Sequence, residues 1–407
     1  MEEAVNDSEQ FVLEVCRKSF LSLWSYVNPQ GRDKGKELCD VLVVCDPHVI
    51  VLSVKDIELK DSGDVEVDWH RWQRKAADAS KKQIAGAIRV LNDASVVIGK
   101  DGAEGLPLPP LERRIYHRIA VAFGGRREVP IKSGSGDNDP FVHVFDERSF
   151  YLVLRHLDTV TDFVNYLADK AEFLSRAAVV MEGGEENLLA MYLHNGRVFP
   201  QESDFVILHD DIWDGVSNRT EFLAKVERDE DSYVWDKLIE SFCDGGFDCD
   251  TWRGPGLSES EQALRVLAAE HRFSRRLLGD AFLQFLEASK QRKTRARCIP
   301  SSSGVGYVFF TYDADSRLEE RRAELLGRCF ASLCRFPEVH TVVGVNLNVP
   351  GDSPKHGFTS DLALLGSIDG KWTDDDLAQA RYCRDELGFF KAPIETRIHE
   401  DEYPSTS

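Results

Sequence analysis

The two residues best placed to do chemistry together are Asp40 and Lys55. Each belongs to a short, apolar, β-branched run (38–45 and 49–55), and the Asp-Pro-His between the runs is typical of a turn. If the runs form a hairpin, Asp40 faces Ser53 across the ladder, and alternation places Lys55 on the same face. A charged lysine at the end of a buried strand is costly unless it is paired or functional. The pattern therefore predicts an acid and an amine that converge on one face.

The elements around this pair are predicted from periodicity. Residues 8–27 space their apolar side chains at helical intervals, and Asn28-Pro29 then ends the helix. After the hairpin, a charged connection leads to a helix at 69–92 and a short apolar strand at 95–98. The predicted order is helix, hairpin, helix, strand.

This order, with GKELCD at 35–40 and SVKD at 53–56, resembles the core of the PD-(D/E)XK nucleases. The resemblance covers about the first 100 residues. It implies an α/β fold with an N-terminal restriction-endonuclease-like αββαβ core, followed by a mixed α/β C-terminal region. It also implies that Asp40 is the first ligand of a magnesium ion (Mg2+), that Lys55 is the catalytic lysine, and that the substrate is nucleic acid, with DNA preferred.

Ser53 departs from the family pattern, because an acidic residue two before the lysine would supply the second magnesium ligand. A hydroxyl is a much weaker ligand for magnesium than a carboxylate. Three acids could replace it, namely Glu14, Glu37 and Asp56. Strict alternation places Glu37 and Asp56 on the face opposite Asp40, although a bulge would allow Glu37 to turn towards Asp40. Glu14 could reach the site if its helix packs across the sheet. We expect Glu37 and Glu14 to be the ligands.

The predicted helix at 69–92 carries one polar residue, Gln83, on its apolar stripe. Some PD-(D/E)XK branches, including RecB-type nucleases, have a glutamine here that faces the metal, so the resemblance implies a catalytic role for Gln83. A core-edge glutamine bonded to backbone is the alternative. Five bases lie off the stripe and could contact phosphates, or could simply form a solvated face. They are Arg71, Arg74, Lys75, Lys81 and Lys82.

The composition sets the class of protein. The chain has 407 residues, a length that exceeds what one hydrophobic core usually supports, and 42% of these residues are hydrophobic. Its net charge of −20 disfavours nonspecific adhesion to nucleic acid but permits a local basic track. No apolar run is long enough to span a membrane, the N-terminus is acidic, and the nine cysteines show no tight metal-binding spacing. We expect a cytoplasmic protein with reduced thiols and no membrane partner.

Glycine- and proline-rich segments predict three domains. They are a nuclease-like domain at 1–104, an α/β domain of unknown role at 105–250, and an α/β C-terminal domain at 251–407. In the last of these, alternating strand and helix patterns between 307 and 346 predict a βαβ unit.

Two hypotheses for function remain open. The first is a metal-dependent nuclease, of a kind that suits a bacterial defence effector, whose residues 106–407 recognise a trigger, a protein partner or the nucleic acid. The second is a catalytically inactive nuclease fold used for binding or scaffolding, which Ser53 and the acidity favour. A further cluster, His209-Asp210-Asp211, lacks histidine partners at set spacings and is interpreted as a loop.

Overall fold

The computed structural model describes the chain except for 1–3, 5, 32–34, 60–61, 126–132, 134–139, 244–256, 292–294, 313–315, 349–359, 368, 393–399 and 405–407. The fold is mixed α/β, and the chain divides into two compact units, Met1–Leu223 and Ala224–Ser407. Within the described residues, no helix has the length and apolar character needed to cross a membrane.

The elements of the first unit are, in chain order, α1 (Asp7–Phe20), β1 (Ser25–Val27), β2 (Val41–Cys45), β3 (His48–Asp56), α2 (Val65–Gln73), α3 (Ala79–Asn92), β4 (Val96–Ile98), β5 (Glu104–Pro107), β6 (Ile115–Phe123), β7 (His143–Asp146), α4 (Glu147–His156), α5 (Val160–Arg176), β8 (Ala178–Met181), α6 (Glu185–His194), β9 (Phe205–Leu208) and α7 (Ile212–Ser217). A π-helical turn, Arg74–Asp78, joins α2 to α3.

The elements that follow are α8 (Thr220–Asp229), α9 (Tyr233–Cys243), α10 (Leu257–Ala268), α11 (Arg272–Lys290), β10 (Ala296–Pro300), β11 (Val305–Tyr312), α12 (Leu318–Leu333), β12 (Thr341–Asn348), β13 (Ser360–Gly366) and α13 (Asp374–Asp385). Of these, α8 spans the boundary between the two units.

The main sheet of the first unit has five strands in the order β1-β2-β3-β6-β7. The first three are antiparallel, whereas β6 runs parallel to β3 and β7 parallel to β6. The predicted hairpin is confirmed, because β2 and β3 pair with Val41 opposite Leu52, a register that places Asp40 opposite Ser53. Every residue of β2 is buried, as expected for a strand that is covered on both faces.

Helices cover both faces of this sheet. On one face, Ile84 and Ile88 of α3 belong to the same buried core as Val49 and Val51 of β3. Because side chains alternate, Ser53 and Lys55 also point towards α3. Helix α1 lies against the other face, where the Phe11 ring contacts the Phe123 ring with centroids 6.0 Å apart.

Three local expectations are corrected by the structure. The first helix ends at Phe20, because Leu21 adopts a positive φ of 68°, and 25–27 then forms β1 instead of continuing the helix. The predicted strand at 95–98 appears as β4, but it pairs with β5 in a separate two-stranded sheet. The strand beside β3 is β6, so the sheet extends beyond residue 104.

The division into units differs from the three predicted domains. The predicted boundary at 104/105 falls inside strand β5 of the first unit, and the predicted boundary at 250/251 lies outside the described residues.

The second unit has a four-stranded sheet in the order β10-β11-β12-β13. Strands β11 and β12 are parallel and are connected by α12, which confirms the predicted βαβ unit. The two outer strands are antiparallel to their neighbours. In this unit, Arg272 and Arg275 of α11 are almost fully buried and bind the carboxylate of Asp236.

Candidate active site at the end of the hairpin

The candidate site is built around Asp40, which lies one residue before β2 and is only 3% exposed. Its Oδ2 accepts a hydrogen bond from the backbone N–H of Val54, and its Oδ1 accepts one from the side-chain amide of Gln83 at 3.1 Å. Lys55 Nζ lies 3.6 Å from Asp40 Oδ2. The convergence of Asp40 and Lys55 on one face, expected from the hairpin register, is therefore confirmed.

Gln83 joins these residues into one hydrogen-bonded network. Its Oε1 accepts hydrogen bonds from Lys55 Nζ at 2.7 Å and from the buried Ser53 hydroxyl at 2.9 Å. Lys55 Nζ also donates to the carbonyl oxygen of Val54 at 3.0 Å. The lysine side chain remains 29% exposed, so its ammonium is oriented by the protein and can still be reached from solvent. This arrangement differs from a core-edge glutamine that bonds only to backbone.

Glu37 lies beside Asp40. Although the residue as a whole is exposed, its carboxyl group is partly buried, and this burial is the main cause that raises its pKa to about 7. A hydrogen bond to Asp40 and the negative charges of Asp40 and Glu9 raise the pKa further, whereas a hydrogen bond from Asn28 lowers it. The carboxyl group of Glu37 therefore keeps its proton to a higher pH than a free glutamate does.

Helix α1 contributes Glu9 to this region. Glu9 is 8% exposed, and it accepts hydrogen bonds from Asn28 Nδ2 at 3.2 Å and from Asn6 Nδ2 at 2.6 Å. The sequence prediction chose Glu14, which is instead exposed and accepts a hydrogen bond from Gln10 at 2.8 Å. The spacing contained the signal for Glu9, because it lies three residues before the buried Val12 and therefore on the inward face of α1.

The other acid weighed for the site, Asp56, accepts a hydrogen bond from the Ser8 hydroxyl of α1. It therefore faces away from α3, as strict alternation requires.

The site offers hard oxygen ligands, although the described residues contain no cluster of three or more His, Cys, Asp or Glu side chains able to hold a metal. Asp40 and Glu37 are adjacent carboxyl groups, and the buried Asn28 Oδ1 has no hydrogen-bond partner among the described residues. Magnesium is commonly held by one or two carboxylates and retains several waters. Asp40 and Glu37 could supply the carboxylates that such an ion takes from a protein.

The five predicted phosphate contacts lie on the helical segment that carries Gln83. Arg71, Arg74, Lys75 and Lys82 are exposed, and Lys81 is half-buried with its Nζ 3.9 Å from Asp78. Trp72, next to Arg71 in this segment, donates its indole N–H to the carbonyl oxygen of Ile57 at 2.6 Å. Ile57 lies two residues after Lys55. The segment is thus anchored beside the end of β3, with four of its five bases open to solvent.

Comparison with protein-family models, with curated protein sequences and with solved structures gives no match to this chain. The argument for function therefore depends on the geometry of the site.

Proposed function

We propose that this protein is a metal-dependent nuclease that hydrolyses phosphodiester bonds, with DNA as the preferred substrate. The observation that supports this most directly is the network in which Asp40, Lys55 and Gln83 meet at the end of a hairpin, next to Glu37. Two acids and an amine at one point suit phosphoryl chemistry, because the negative charge that develops on the phosphate must be neutralised.

Each residue has a distinct role in this proposal. Asp40 and Glu37 would hold magnesium, which supplies Lewis-acid stabilisation and lowers the pKa of bound water. Lys55 is oriented by Gln83 Oε1 and places its positive charge beside Asp40, where it can stabilise negative charge on a phosphate oxygen. Gln83 is a positioning residue, because its amide donates to Asp40 while its carbonyl oxygen accepts from Lys55.

Ser53 favours a second function, that of an inactive nuclease fold used as a binding or scaffolding module. Its hydroxyl stands opposite Asp40 and donates to Gln83 instead of presenting a carboxylate. In that case Asp40 would balance the charge of Lys55 within a structural network that includes Gln83. Glu37 would then have no catalytic role.

The deciding experiment is magnesium-dependent cleavage of plasmid and single-stranded DNA by the purified full chain. We expect Lys55→Ala and Glu37→Gln each to reduce cleavage by about 100-fold or more. Glu14→Gln is the matched control, since Glu14 is an exposed acid of α1 that bonds to Gln10, and it should cleave like wild type. Absence of metal-dependent cleavage of DNA and RNA by the wild type would favour the binding module.

Binding of nucleic acid is tested separately from cleavage. Reversing Arg74, Lys75 and Lys82 to glutamate should weaken binding strongly and reduce the dependence of the remaining affinity on salt, because each lost phosphate contact removes about 0.9 from the logarithmic slope. A control reversal of two exposed lysines of the second unit, Lys290 and Lys371, should leave both quantities unchanged. If the first reversal also has no effect, its three bases form a solvated face.

A further inference from the structure

The small sheet formed by β8 and β9 exposes one apolar face. The two strands are parallel, with Ala178 opposite Phe205 and Val180 opposite Ile207, so these four side chains share a face. Phe205 is 60% exposed, Ile207 49% and Val180 48%, and Ala178 is exposed as well. Four contiguous apolar side chains are therefore in contact with water.

The opposite face of the same sheet points inward. Leu208 is 2% exposed, and Val179, Met181 and Val206 are half-buried. Helix α6 connects the two strands, as in other parallel βαβ units. Parallel sheets normally have helices on both faces, because their strands lack a solvated side. Among the residues that the structure describes, this face therefore lacks the helix that would normally cover it.

Acidic residues surround this face. At the carboxyl ends of the strands, alternation places Glu182 and His209 on the same side as the apolar residues, with Glu182 Oε2 2.8 Å from His209 Nδ1. Asp210 and Asp211 follow and are exposed, and Asp204 is exposed just before β9. A partner must therefore bring positive charge to both ends of the patch.

The same charges argue against a second copy of this chain as the occupant. Two copies pairing through this face would bring their acidic ends together, in a chain whose net charge is already −20. Arg176, two residues before β8, is directed at the carbonyl oxygens of Pro200 and Gln201.

We propose that the face of Ala178, Val180, Phe205 and Ile207 docks an amphipathic helix of a partner protein, with lysine or arginine near both ends of its apolar stripe. A helix fits better than an added strand, because the apolar surface lies on the face of the sheet and not along its edge. Strands of this length extend about 13 Å. A helix of about nine residues covers that distance. The proposal does not depend on the nuclease activity.

The test uses a fluorescent peptide of about 15 residues, long enough to form a marginal helix, with a leucine stripe and lysines near both ends. Binding to the full chain is measured by fluorescence anisotropy and helix formation by circular dichroism. We expect saturable binding that induces helix, and a loss of about tenfold or more in affinity for Phe205→Ser and Ile207→Ser. Leu111→Ser, at another exposed apolar residue of this unit, should bind like wild type.

A matched peptide with glutamate in place of lysine separates charge from simple hydrophobic adhesion, and we expect it not to bind. Equal binding of both peptides, equal binding by Phe205→Ser, or no saturable binding of the lysine peptide would each overturn the proposal. Sedimentation of the protein alone tests whether a second copy of this chain occupies the face. A dimer that Phe205→Ser dissociates would assign the face to a second copy instead. All of these positions are exposed, so the variants should retain the wild-type melting temperature.

Discussion

Replacing Asp40 by alanine should destabilise the first unit strongly, even though the residue lies at a candidate active site. Asp40 is buried, and its carboxylate satisfies the backbone N–H of Val54 and the amide of Gln83 while it pairs with Lys55. The substitution therefore removes a structural acceptor as well as a candidate metal ligand.

The magnitude follows from these contacts. A buried N–H left without an acceptor, as Val54 would be, costs about 1–3 kcal/mol, and the hydrogen bond to Gln83 contributes about 0.5–1.5 kcal/mol. The ion pair adds at most about 1 kcal/mol, since Lys55 is 29% exposed and keeps its bonds to Gln83 and Val54. We expect a total loss of about 2–4 kcal/mol. For a unit of 223 residues this corresponds to about 4–16 °C in melting temperature.

The assay is urea and thermal unfolding of the full chain, followed by circular dichroism. Asp40→Asn keeps an acceptor for Val54 and should lose about half as much as Asp40→Ala. Asp101→Ala, at an exposed turn where the carboxylate accepts only the N–H of Ala103, should lose about 1 kcal/mol or less. Adding Lys55→Ala to Asp40→Ala should cost less than the two single losses together, because Asp40→Ala has already removed the ion pair.

A loss below about 1 kcal/mol for Asp40→Ala, or a gain, would refute this reasoning. It would mean that repulsion between Asp40 and Glu37 outweighs the hydrogen bonds that Asp40 accepts.

Three further perturbations follow from charge and burial. The raised pKa of Glu37 means that folding favours its protonated form, so stability is lost as pH rises from about 4.5 through 7, and Glu37→Gln should remove that loss in urea titrations. Burial and the neighbouring His48 lower the pKa of His117 to about 3, so stability is lost as pH falls below about 6.5. The contribution of His117 should reach about 2 kcal/mol by pH 5. His117→Phe should reduce the acid loss by that amount and leave the part that comes from His143 and His48, whose pKa values are also lowered by burial. Glu185→Gln removes the negative charge that balances the fully buried Lys170, whose Nζ lies 2.5 Å from Glu185 Oε1, and should cost about 3–5 kcal/mol. Combining it with Lys170→Met should recover most of that loss.

The hairpin and the pairing of Asp40 with Lys55 could be predicted because both depend on short-range rules. Alternation along a strand and the position of a turn determine which side chains share a face. Gln83 could be placed for a similar reason, since helical periodicity aligns it with the apolar stripe that packs on the sheet.

The rest of the site depends on tertiary geometry that local patterns do not contain. Glu37 reaches Asp40 from an irregular segment before β2, where alternation does not apply. Glu9 is different, because its helical spacing from the buried Val12 was a local signal that the sequence prediction overlooked when it chose Glu14. The sheet order was also hidden, because β6 joins β3 only after the separate pair β4 and β5.

The contact between Glu37 and Asp40 bears on the choice between the two proposed functions. Without a cation, the contact of Glu37 with Asp40 carries a cost, because a partly buried carboxyl group whose pKa is about 7 has lost the solvation that favours its ionised form. An internal structural network would not need that second acid, since Asp40 is already satisfied by Val54, Gln83 and Lys55. Strongly perturbed carboxyl groups concentrate at functional sites, where a bound cation or substrate offsets the cost. The titration of Glu37 in the presence and absence of magnesium therefore separates the two functions better than the identity of Ser53 does. A fall in the pKa of Glu37 on adding magnesium supports the metal site, and an unchanged pKa supports the binding module.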